Sequence, residues 1–252
     1  MAAVLLIARP ADGQTARSTF TRTDALEVGA VAATGVGHIA FSKLDQSRLF
    51  IPLAGLGWGN YFYHQYRTEP GFLSRLGLRS GNLRPAFRDA SLVALGSAAA
   101  MAGYAASQDQ LRLHRDMIWL FLLYPSWGLL QQTLTQGMGA DNLRELPGAF
   151  GSPLAVTLTT AALFGAVHVP NWELAGATTA LGLVFTPLYL KYRNLWPLGL
   201  YHGWLGALFY FWVLNDNPWR DITGLDDEPS KIRGRLSPGL GGEPSLGVRI
   251  RF

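Results

Sequence analysis

Residues 122–139 read "LLYPSWGLLQQTLTQGMG". The stretch sits in an apolar run covering 117–137, long enough to cross a bilayer, which takes about 20 mostly apolar residues. Yet it carries Gln131, Gln132 and Gln136 close together. Working outward, six more runs have the same character: 25–42, 49–64, 89–107, 152–170, 172–190 and 195–214. The expected fold is therefore all-α, a polytopic membrane bundle of about seven transmembrane helices. Seven such runs weigh against a soluble all-α domain with buried helices. The first three are rich in Ala and Gly, which let neighbouring helices approach closely. The glycines of "GLGWGN" (55–60) are read as helix packing on the same ground, because they lie inside an apolar run.

Composition points the same way. The 252 residues are 49% hydrophobic and 15% charged, against about a quarter charged in soluble domains. Cysteine is absent, which excludes disulfides, thiolate metal sites and a Cys nucleophile. The net charge of +4 comes from Arg residues scattered over several loops, so a nucleic-acid partner is not expected. Membrane lipid is. The basic loop at 65–88 holds Arg67, Arg75, Arg79, Arg84 and Arg88 and is expected in the cytoplasm by the positive-inside rule. The organisation expected is an N-terminal tail (1–24, a poor signal sequence at best), a bundle over 25–214, and a polar, disordered tail over 215–252 on the outer side. The expected location is a bacterial inner membrane.

His168, in "LFGAVHVPNW", and His202, in "LGLYHGWLGAL", fall in or at the ends of these spans. Ionisable groups inside a membrane are costly and default to function, although one histidine alone is more often a bond between helices. Their placement argues for a common site. Gln131 and His168 lie at similar separations from the turn "PGAFGS" (147–152), about 24 Å along each helical arm. They therefore share a depth in an antiparallel pair. Glu27 and His38 in the first span pair with each other or line a proton path; the sequence leaves both open.

These residues resemble the CPBP intramembrane proteases, the CAAX-protease and bacteriocin-processing family. That family carries Glu-Glu-x-x-x-Arg, Phe-x-x-x-His and His-x-x-x-Asn on three spans. The second motif is intact as "FGAVH", Phe164 to His168, and the third begins at His202 after "NLWPLGLYH". The similarity covers roughly 115–214, with order and spacing kept. "QQTLTQ" stands at the first motif, so Gln131 and Gln132 replace the carboxylates and Gln136 the Arg. Gly206 stands where the third motif has Asn. The resemblance implies that a Glu of the first motif and the second-motif His activate water, while the third-motif His and Asn stabilise the oxyanion. Here an amide cannot serve as base near neutral pH, and an oxyanion donor is missing. Three concerted changes to amides remove every charge and leave no guanidinium buried alone. Glu173 is the nearest carboxylate able to stand in, if Pro170 breaks the helix and turns it back.

Two readings follow. One is an intramembrane endopeptidase acting on membrane-bound or lipidated peptides, with His168 as base, His202 as electrophile and Gln131 or Gln132 orienting them. The other is a pseudoprotease that binds such peptides without cutting them. A metal at the two histidines ranks last, because hydrolytic sites use three protein ligands; no cofactor is expected. Topology is testable directly in a chain without cysteine: Cys at Ser80 should be labelled only from the cytoplasmic side, and Cys at Ser230 only from outside. Labelling of both from one side counters the tail-out arrangement.

Overall fold

The computed structural model describes residues 20–44 and 46–223, which hold no strand, nine α-helices of four residues or more, and a three-residue helical turn, Asp141–Leu143. Seven are long: α1 (Arg22–Lys43), α2 (Ser47–Thr68), α4 (Leu83–Ser107), α5 (Met117–Gln132), α6 (Pro153–Ala166), α7 (Trp172–Tyr192) and α8 (Trp196–Leu208). The short helices are α3 (Phe72–Arg75) and α9 (Pro218–Thr223). Helix α5 runs on as a π-helix, Thr133–Ala140, and α8 as another, Phe209–Val213. The seven long helices fall on the seven apolar runs of the sequence. Three of them, α1, α4 and α7, meet the length and hydropathy of a membrane span taken singly. The outer faces of the long helices stay apolar, with Leu53, Leu56, Leu92, Leu95, Leu122 and Leu158 all more than half exposed. Such a surface suits lipid and not water; the chain is an integral membrane protein.

Local chemistry sets the boundaries. Thr21 and Asp24 form a reciprocal capping box, so α1 starts at Arg22, inside the segment expected to be tail. Ser152 caps α6 with Pro153 in its first turn, and Asn171 caps α7. The tail also begins with structure. Helix α9 docks on α5 through stacked Trp119 and Trp219, 5.7 Å between centroids. Asn217 and Arg220 donate to Asp116, at 2.9 and 3.3 Å. Residues beyond Thr223, Ser230 among them, lie outside the described part.

Helix α5 packs on α8 through small residues. A Cβ on Gly128 would lie 2.5 Å from the Gly199 carbonyl, and one on Gly203 2.5 Å from Pro125. The expectation for "GLGWGN" is corrected: Gly55, Gly57 and Gly59 have open space where a Cβ would stand. Helix α2 packs instead through its aromatic side, where Trp58, Tyr61 and Phe62 meet the buried Phe72 and Met138.

Charge is confined to the ends of the bundle. At the end carrying the basic loop, Glu27 is 3% exposed. It accepts from Arg75 at 3.0 and 3.2 Å, from Asn142 at 2.6 Å, and from Tyr61. This one carboxylate thus ties α1, α2, α3 and the end of α5 together. Burial works against the Arg75 charge, but Glu27 and Glu69 outweigh it and hold the guanidinium protonated. Nearby, Arg193 pairs with Asp141, while burial and the neighbouring Arg79 and Arg75 draw its pKa down to about 10. Glu27 does not pair with His38, which lies three turns, about 16 Å, along α1 and packs on Phe50. Glu27→Ala leaves Arg75 held by Glu69 alone at 2.9 Å. Breaking a buried pair this way should cost about 3 kcal/mol, read as a lowered thermal midpoint in detergent; an unchanged midpoint would count against the network.

Candidate active site

The site forms where α5, α6, α7 and α8 meet. Phe164 is buried on α6, and both imidazoles stand edge-on to its ring, His168 at 5.4 Å and His202 at 5.2 Å between centroids. Two histidines 34 positions apart in sequence are thus gathered around one aromatic ring.

Each histidine has a defined partner. The backbone carbonyl of Phe164 lies 2.8 Å from His168 Nδ1. A carbonyl can only accept, so Nδ1 carries the proton. The Thr178 hydroxyl lies 3.2 Å from the same nitrogen and donates its own proton to the Leu174 carbonyl. The His168 Nε2 lone pair is left available, the tautomer a base requires. His202 is 7% exposed and meets the Gln132 amide nitrogen at 3.2 Å through Nδ1. That donation leaves the His202 proton on Nε2; the ring also hydrogen-bonds the Gly128 carbonyl.

The glutamines part company. Gln132 and Gln136 are both 0% exposed. Gln132 serves His202 on α8, whereas Gln136, in the π-helix, donates to Thr186 on α7 at 3.1 Å. They are no continuous amide network, because the wider π turn rotates residue 136 away from the line of residue 132. Their carbonyl oxygens are buried without a donor among the described residues. Gln131 lines a cavity of about 370 Å³ together with His168, His202, Thr178 and Gly206. Glu173 does not reach that cavity. Because Asn171 caps α7, the helix restarts at once, and Glu173 is exposed in its first turn. Two residues that sequence reasoning passed over, Tyr124 and Tyr210, also line the cavity. Among the described residues no three His, Asp or Glu side chains gather where one ion could be held.

Such a site can bind a peptide carbonyl, offer it N–H and O–H donors, and present a neutral imidazole to water. Residues 112–208 match the family model of type II CAAX prenyl endopeptidase Rce1-like proteins. That span contains every site residue from Gln131 to Gly206. No curated protein and no solved structure matches the chain.

The burial of Gln136 gives a test of this geometry. With only the Thr186 hydroxyl as partner, Gln136→Arg alone should cost several kcal/mol and fail to accumulate in membranes. The triple change Gln131→Glu, Gln132→Glu and Gln136→Arg adds two carboxylates on the preceding turn, about 6 Å back along the helix, a gap that long side chains span although the π turn offsets them, and it should express better. A triple no more stable than the single change would separate these positions from a charged triad.

Proposed function

We propose that this chain, a member of the CAAX-protease (CPBP) family over residues 112–208, is an intramembrane endopeptidase for membrane-associated peptides. Prenylated C-terminal peptides, the substrates named in the family's description, are the first class to try. A bacterial inner membrane is the location this reading assumes. The observation that carries it is the tautomer of His168: its Nδ1–H is held by the Phe164 carbonyl at 2.8 Å, and Nε2 is left to take a proton from water. The backbone carbonyl does here what an orienting carboxylate does in other His-based sites. His202 lines the same cavity, its ring held by Gln132 and the Gly128 carbonyl. Water attacks the carbonyl carbon, His168 receives the water proton, and the same proton passes to the leaving amine as the C–N bond breaks.

A second reading is favoured by a different observation. Among the described residues no Asp or Glu lines the cavity, so the imidazole has no carboxylate there to stabilise its protonated form. On that ground the chain is a peptide-binding pseudoprotease. Purified protein in lipid nanodiscs, given a prenylated tetrapeptide and unlipidated membrane peptides, separates the two. Cleavage by the wild type that falls by about 10²-fold or more in His168→Ala supports the enzyme. Binding without cleavage by either protein supports the pseudoprotease.

A further inference from the structure

We propose that the phenol of Tyr124 is the oxyanion donor of this site, occupying the space that a side chain at position 206 would otherwise fill. The proposal rests on the proteolytic reading and deepens it.

Position 206 is the starting point. A Cβ built on Gly206 would lie 2.9 Å from Tyr124 Cε1 and 3.4 Å from Cδ1. The absence of a side chain on α8 and the presence of the aromatic ring on α5 are therefore two halves of one packing arrangement. Tyr124 is half-buried, and both it and Gly206 line the cavity with His168 and His202.

Depth places the ring opposite the base. Helices α6 and α8 run in the same direction, since α7 returns antiparallel between them through short turns. Phe164 meets His202. One turn further along α6 is His168, and one turn further along α8 is Gly206, each about 6 Å on. His168 and Gly206 thus share a level, and the Tyr124 ring lies against Gly206 at that level. Gln131, two turns back along α5, stands beside Gln132 at the level of His202.

Chemistry then selects the phenol. The ring protons of the two histidines are turned to the carbonyls of Phe164 and Gly128. Tyr124 has a hydroxyl partner in Tyr210, whose ring stands edge-on to it at 6.4 Å. In the resting site the two hydroxyls share one hydrogen bond; a hydroxyl rotates to suit its partner, so the phenolic O–H of Tyr124 turns from Tyr210 to a carbonyl oxygen and strengthens that bond as negative charge develops. A donor pre-aimed in an apolar cavity is worth about 10²–10³ in kcat.

The test uses the full chain in nanodiscs and two readouts. One is cleavage of the prenylated tetrapeptide. The other is the affinity for its phosphinic analogue, which carries a tetrahedral anionic centre, set against that for the uncleaved amide. Tyr124→Phe keeps the ring and should keep the fold. It is expected to lower kcat about 100-fold with KM little changed, and to abolish the extra affinity for the phosphinate. Gly206→Asn should displace the ring and mimic that loss, and Tyr124→Ala with Gly206→Asn should recover part of it, because the amide then has room. A phosphinate preference kept in Tyr124→Phe overturns the proposal, as does a wild type with no such preference. Failure of the proteolytic reading is distinguished by absence of cleavage in the wild type itself.

Discussion

The seam between α5 and α8 governs the geometry of everything around it. At Gly128, Gly199 and Gly203 the two backbones approach so closely that an added Cβ would fall 2.5–2.7 Å from main-chain atoms of the other helix. In lipid there is no hydrophobic drive between helices, so contact of this kind, from van der Waals packing, has to hold them. The short separation lets Gln132 reach His202 and lets an edge of the Tyr124 ring rest against Gly206. A methyl group on any of these three glycines would wedge the helices apart and undo both contacts at once.

On this rigid pair the site is assembled from neutral groups. A charge at that depth would need a partner, and each residue that might have carried one is an amide, hydroxyl or imidazole. The amides are only half satisfied: Gln132 and Gln136 donate but have no donor for their oxygens. Leaving a buried acceptor unmet costs more than the bond it would make gains. The cavity therefore keeps polarity at some expense in stability, which is the usual mark of a region shaped for binding and not for packing.

Charge is instead placed where water or headgroups can solvate its surroundings. Glu27 gathers Arg75, Tyr61 and Asn142 at one end, and Asp116 gathers Asn217 and Arg220 at the other. Burial pushes the Asp116 carboxyl up, but Asn217, His114 and Arg220 outweigh that and hold it below the usual carboxylate range. These knots fasten segments from distant parts of the chain. They leave the middle of the bundle to contacts between small and apolar residues.

The sequence by itself determined the seven helices, because a bilayer-length apolar run can satisfy its backbone only as a helix. It also determined the pairing of Phe164 with His168, since residues four apart share a helix face. It also pointed to the family that the match over 112–208 supports. It misjudged what depends on neighbours. Glu173 is close to His168 along the chain but faces away, because a capped helix begins between them. Gln132 and Gln136 read as members of one motif, but the π-helix sends them to different partners. Gly55, Gly57 and Gly59 read as a packing surface and have none. Above all, Tyr124 is one more aromatic in an apolar run until Gly206 is laid against it. Only the tertiary structure decides that, because the space a side chain fills belongs to two helices whose contact residues lie 82 positions apart in the sequence.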